Sequence, residues 1–305
     1  MLDVKPREAE RAGGAEDASL DERKAFDFLA IGPHSGKPRA SGLTVVVDGM
    51  DGGFLSLRDV ESLGDFAAEY VDYVKLGWTI ARLTRASVTR QKIEELHRVG
   101  IRVLLGGVAL EYASVHGCPE GLIGECVDLG IDAVEVSTSS SYVSVKRQLE
   151  LVECIRREGA EAFVELGRKG EARNPTVADV SSFLERFEDA GASRIILESE
   201  RIASTGAGGE LEAFLEELAA IDHDKVIIEL PYGISFPELL PVASQVFGIL
   251  GSEVNVANID PRHVLAVETV RTGICFGELF ARVPVEPPYQ RRDGRLVRRS
   301  TEGNC

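Results

Sequence analysis

Cysteine is scarce and unpatterned in this chain. The five thiols (Cys118, Cys126, Cys154, Cys275, Cys305) form no CxxC or zinc-type spacing, and their number is odd. That argues against a disulfide framework and fits a reduced, cytoplasmic protein. No stretch of 18 uninterrupted apolar residues exists, so no membrane span is expected. The first residues, MLDVKPREAERAGGAED, are polar and lack the apolar core of a signal peptide. The five histidines are scattered, and neither HExxH nor a Ser–His–Asp arrangement can be read; His97, His116, His223 and His263 are taken as solvated or capping residues. Neither GxGxxG nor GxxxxGK[ST] follows the first apolar run, which reads VVVDGMDGGF, so nucleotide binding has little support.

Positive charge is also in short supply. The formal net charge is −16, with about −1 on residues 1–40, −17 on 41–283 and +2 on 284–305 by direct count. Such a field disfavours nucleic acid and acidic membrane as partners. A small anionic substrate would need local cations.

What is present is regular. Eight apolar, β-rich runs occur at 43–48, 73–78, 101–107, 132–137, 161–167, 193–199, 225–231 and 253–259. Amphipathic segments separate them, for example Val60, Leu63, Phe66, Tyr70 and Val177, Val180, Phe183 or Leu184, Phe187. Gly100, Gly130, Gly159 and Gly191 each stand just before a strand, where a left-handed helix C-cap is expected. Asp260-Pro261 reads as the N-cap and first residue of the last helix. Eight β-then-α units over 41–283 predict an α/β fold, a (β/α)8 TIM barrel, whose usual size is about 250 residues. Residues 1–40 are expected to be an extension, loose over about 1–20, with one short helix in DERKAFDFLAI. Residues 284–305, rich in Pro and then Arg, are expected to be a solvated tail or an arm for a neighbouring subunit.

Glutamates recur within this frame. Glu135, Glu165, Glu198 and Glu229 sit in AVEV, FVEL, IILE and VIIE, at steps of 30, 33 and 31 residues. Charge in an apolar run is costly to bury unless it is paired or bound to a cation. In a (β/α)8 barrel the active site lies at the C-terminal strand ends. The strand-end residues are therefore the candidates: Asp48, Lys75, Gly106, Gly107, Glu111, Glu135, Ser137, Glu165, Arg168, Lys169, Glu198, Glu229, Asn255 and Asn258. Hard oxygen donors without a His/Cys cluster favour Mg2+ over zinc, with Glu135, Glu165 and Glu198 as candidate ligands. The remaining carboxylates are expected to pair with Lys75, Arg168 and Lys169. Lys75 interrupts an apolar strand and is expected to point into the mouth. Trp78 is as compatible with packing under a loop as with touching substrate.

In order and spacing, GLTVVVD (42–48), DYVKLGW (72–78), GGVALEYA (106–113), AVEVS (133–137), ELGRKG (165–170), IILES (195–199), IELP (228–231), EVNVANI (253–259) and AVETVRTG (266–273) resemble the phosphosulfolactate synthase family. The resemblance runs from about Phe26 to about Phe280. It implies a Mg2+-dependent barrel lyase that adds sulfite to phosphoenolpyruvate, or acts on a related enol or 2-oxoacid, in a route to coenzyme M. It also implies Lys169 as proton donor to C2, and Lys75 as holder of an anionic group. Asp48, Gly106, Gly107, Glu111, Arg168, Glu229, Asn255 and Asn258 would lie around the substrate, and a homo-oligomer is suggested. The chain departs from the family pattern at Gly49-Met50, VSTSSS (136–141), ESERIASTG (198–206) and RTGICFG (271–277), where basic or acidic loop residues are missing. Arg82, Arg85 or Arg201 would have to substitute, or the substrate has changed. The alternative reading is a non-catalytic barrel acting as a stress or interaction protein.

Overall fold

A computed structural model describes residues 24–49, 53–138, 143–167, 175–198 and 209–274, together with the strand backbones of 289–292 and 295–298. All eight expected strands form: β1 (Thr44–Asp48), β2 (Tyr73–Leu76), β3 (Arg102–Leu105), β4 (Ala133–Val136), β5 (Glu161–Leu166), β6 (Arg194–Leu197), β7 (Val226–Glu229) and β8 (Asn255–Ile259). Each pairs in parallel with the next, and β8 closes on β1, so the sheet is a complete (β/α)8 barrel.

Strand alternation divides the core in two. Val46, Val74, Val103, Val134, Val164, Ile195, Ile228 and Val256 face outward and pack under the helices. Leu43, Val45, Tyr73, Leu104, Ala133, Phe163, Ile196, Ile227 and Ala257 fill the barrel itself. Removing such side chains from water is worth about 1.5–3 kcal/mol for each large one. The interior set also fixes what lies above it. Two residues beyond Tyr73, Ala133, Phe163, Ile196 and Ile227 come Lys75, Glu135, Glu165, Glu198 and Glu229. With a side-chain period of two, all five must enter the barrel mouth.

The intervening helices begin where local chemistry tells them to. Ser56 with Asp59, Thr176 with Asp179, and Ser235 with Glu238 form capping boxes at α1 (Leu57–Ala67), α7 (Val177–Asp189) and α9 (Phe236–Leu250). Gly100, Gly130, Gly159 and Gly191 all adopt positive φ before their strands, as expected. In α7 the buried stripe is Val177, Val180, Leu184 and Phe187. In α1, Val60 and Leu63 are buried but Phe66 is 71% exposed, so the apolar face is narrower than the sequence spacing suggests. Asp260 caps through the Arg262 amide, and Pro261 opens a 3-10 turn that leads into the last helix, α10 (Val264–Arg271).

The N-terminal segment differs from expectation in one respect. Residues 24–31 form turns rather than a helix. Residues 32–42 strap across the N-terminal end of the barrel. His34 bridges the Glu268 carboxylate and the Gly42 carbonyl, and Lys37 Nζ donates to the carbonyls of Ala68, Val71 and Gly100. Arg39 pairs with Asp72 at 3.1 Å. At the other terminus, β9 (Tyr289–Arg292) and β10 (Arg295–Arg298) pair antiparallel as a hairpin.

Candidate active site

The C-terminal ends of the strands enclose a cavity of about 560 Å3, open mouth included. Lys75, Glu135, Glu165, Glu198 and Glu229 line it, with Gly106 and Gly107 to one side and Asn258 to the other. The four carboxylates are each no more than 4% exposed. Lys75 Nζ lies 2.7 Å from Glu135 Oε2 and 2.8 Å from Glu229 Oε1. Glu165, Glu198 and Glu229 bring carboxylate oxygens within 4.8 Å of one another. The compact acidic triad thus contains Glu229, whereas Glu135, expected among the metal ligands, rests on Lys75.

Among the described residues Lys75 is the ammonium in contact with this cluster, and it meets Glu135 and Glu229. Burial penalises ionisation of Glu165, and Glu135, Glu229 and Glu198 add repulsion, so its carboxyl titrates well above the ordinary range. Glu229 is raised too, by burial and by Glu198 and Glu135, although Lys75 opposes the shift. Burial alone would lower the Lys75 ammonium, but Glu135, Glu229 and Glu165 outweigh it and hold it well above its usual value. Glu165 hydrogen-bonds Glu198, which between two carboxyl groups requires a shared proton. Its other oxygen, Oε2, is buried without a hydrogen-bond partner among the described residues. Three converging hard oxygen donors, one of them orphaned, suit a divalent cation such as Mg2+.

Backbone shape makes room for this cluster. A Cβ on Gly107 would collide with Ser137 Oγ and stand 3.0 Å from Glu135 Oε1, so only glycine fits where α4 (Gly107–Val115) starts beside the carboxylates. Ser137 in turn donates to Glu111, which is buried behind the cavity wall rather than lining it. On β8, alternation from Ala257 would turn Asn258 outward. A bulge prevents this: β1 advances from Thr44 to Val46 while β8 advances from Val256 to Ile259. Asn258 takes φ 60° there, and its side chain lines the cavity.

Two expected mouth residues lie elsewhere. Asp48 shares parity with Val46, not with the inward Val47. Its carboxylate is 2.8 Å from Lys92 of α3 (Ala86–Arg98) and accepts from the Leu55 amide, tying the loop after β1 to the helical layer. Asn255 begins β8 instead of ending it. At the N-terminal end of the barrel it accepts from the Leu43 amide and donates to the carbonyls of Asp224 and Val226. Arg82 lines a separate groove with residues of α3, α4 and α5 (Pro119–Leu129). Arg168, Lys169 and Arg201 lie outside the described residues.

Sequence reasoning passed over Tyr232 and left Trp78 undecided. Both line the cavity, and their rings meet edge to face at 6.3 Å. The available signal was position: each follows an inward charged residue by three, Lys75 and Glu229 respectively.

A closed (β/α)8 barrel with buried, mutually repelling carboxylates beside Lys75 at its C-terminal face defines an enzyme of the TIM-barrel class. Residues 32–276 match the (2R)-phospho-3-sulfolactate synthase (ComA) family. The chain is 33% identical over 271 residues to the phosphosulfolactate synthase of Methanocaldococcus jannaschii, covering 85% of this chain and all of that one. It is 30% identical over 258 residues to that of Methanothermobacter thermautotrophicus (82% and 95% covered), and 24% over 262 residues to that of Bacillus subtilis (81% and 96%). The chain belongs to this family and is an enzyme of its kind.

Proposed function

We propose that this enzyme adds sulfite to phosphoenolpyruvate with the help of Mg2+. The observation that carries the reading is the convergence of the Glu165, Glu198 and Glu229 carboxylates beside Lys75, an arrangement that a cation and an anionic substrate arriving together would relieve.

In the reaction the sulfur lone pair forms the C–S bond at the methylene carbon. The π electrons move toward the substrate carboxylate, and a proton then reaches C2, leaving the phosphate ester intact. Mg2+ held by Glu165, Glu198 and Glu229 would supply Lewis acidity to the substrate's oxygens. Lys75 keeps its proton because of its carboxylate neighbours, so it is a poor acid and a good fixed positive charge. It orients Glu135 and Glu229 and leaves an N–H for a substrate oxygen. The N-terminus of α4, with Gly107 and Val108 at the cavity wall, would present backbone amides to an anionic group, whereas the Gly106 amide is donated to the Leu76 carbonyl. The role of proton donor is assigned to Lys169, three residues beyond the end of β5, on the resemblance of ELGRKG to the family motif.

The test is direct. Purified protein incubated with phosphoenolpyruvate, sulfite and Mg2+ should yield a product heavier than phosphoenolpyruvate by one sulfite, seen by mass spectrometry and abolished by chelation. Folded protein without that adduct removes the proposal. Lys169→Ala should lose turnover while keeping its melting temperature; an undiminished rate refutes the donor assignment.

A further inference from the structure

The charged floor of the cavity accounts for anions but not for the carbon atoms of a substrate. Those must meet the apolar part of the lining, which Val47, Val108, Trp78 and Tyr232 supply. We propose that Trp78 and Tyr232 form a specificity-determining aromatic wall that packs on the unsubstituted methylene end of a small planar enol. The identity of that substrate rests on the function proposed above.

Three observations carry the inference. First, the rings come from the loops after β2 and β7, three positions apart around the barrel, so their 6.3 Å contact spans part of the mouth. Second, Trp78 and Thr79 are consecutive non-glycine residues with φ of 53° and 57°. Left-handed backbone at two bulky side chains is unfavourable and persists where the surrounding structure imposes it, often at functional sites. Here the turn brings the indole to the cavity. Gly49, at φ 103°, leaves space for it, since a Cβ there would stand 3.0 Å from Trp78 Cδ1. Third, Trp78 is 57% and Tyr232 38% exposed. Aromatic surface that lines a cavity and is partly exposed there can pack on a ligand.

Such a wall admits a flat three-carbon acid and crowds out a substituent on its methylene carbon. The experiment compares phosphoenolpyruvate with its C3-methyl homologue. Trp78→Ala should raise kcat/KM for the homologue relative to phosphoenolpyruvate by about tenfold or more, the scale on which pockets discriminate one methylene. Tyr232→Ala should move the ratio the same way, and Trp78→Phe, which keeps a ring, should move it little. Trp78 is also the chain's one tryptophan, so its emission reports on this wall alone. Adding phosphoenolpyruvate with Mg2+ to the unmodified enzyme should shift that emission. Intact turnover with an unchanged ratio in both alanine variants overturns the wall and leaves the proposed reaction standing. If the unmodified enzyme forms no sulfonate, the proposed reaction fails instead. The emission titration then decides the wall: a shift supports it, and an unmoved spectrum overturns it.

Discussion

The two ends of the barrel both bury charge, and they treat it in opposite ways. At the N-terminal end Arg271 is fully buried, yet its guanidinium donates to the carbonyls of Ser252, Val254 and Leu43 and to Thr44 Oγ1, and its Nε, which makes no hydrogen bond among the described residues, still lies 3.4 Å from the opposite charge of Glu268. Burial lowers its titration to about 10, and Glu268 partly offsets that. Arg39 meets Asp72, His34 meets Glu268, and Arg102 and Tyr73 share Glu161. At the C-terminal end Lys75 is the ammonium that the described residues bring to the four carboxylates, where it meets Glu135 and Glu229, and a buried oxygen of Glu165 has no hydrogen-bond partner among those residues. Buried charge alone therefore does not mark a site. Buried charge left uncompensated does, because the fold gains nothing from it until a ligand arrives.

Substitutions at the two ends should separate accordingly. The largest effect is expected for Lys75→Met. Without the ammonium, turnover should fall at least about 10²–10³-fold, the range for losing one preorganised electrostatic group. Steady-state kinetics check this, and a rate within threefold of the parent would break the contrast.

Arg271→Met should instead cost stability, about 3–5 kcal/mol in a denaturant titration, because Glu268 loses its buried counter-charge. Turnover per folded molecule should stay the same. A kinetic defect with normal stability would show the N-terminal end to be coupled to the chemistry.

Mg2+ and pH give the next largest effect. Glu165 and Glu229 have raised folded-state pKa values, so each penalises the fold when it is made to ionise. The penalty is absent below the unfolded value of 4.5 and grows as pH rises through the raised folded values. Without metal the melting temperature should therefore drop over this rising range for the mouth's contribution. Mg2+ should restore about 2.7 kcal/mol at one hundred times its Kd. A melting temperature indifferent to Mg2+ at pH 8 would contradict the reading of the triad.

The smallest effect has an unusual sign. Glu165→Gln removes a carboxyl whose ionisation penalises the fold, so at alkaline pH it should stabilise the metal-free enzyme by about 0.5–2 kcal/mol and blunt the Mg2+ response. Destabilisation would mean that Glu165 is already compensated.

The repeated glutamates were legible because a barrel strand has a period of two and an apolar interior. Once Phe163 or Ile227 fills the barrel, the residue two positions on must enter the mouth. The same rule explains the misplacement of Asp48, whose parity with Val46 turns it toward Lys92. Asn255 failed for a different reason: the span 253–259 did not reveal which end of the strand it occupied. Asn258 reaches the cavity only through a bulge, which depends on the register between β8 and β1. Glu111, in a helix after the Gly106-Gly107 turn, could be placed only once that turn had a shape.

Local pattern by itself determined the eight strand–helix units, their glycine caps and the acidic character of the mouth, because period, capping and charge are properties of short segments. Tertiary structure alone decided that Lys75 sits between Glu135 and Glu229, that Glu229 joins Glu165 and Glu198, and that Trp78 meets Tyr232. Those relations join strands far apart in the chain, and their distances exist only after the barrel has closed.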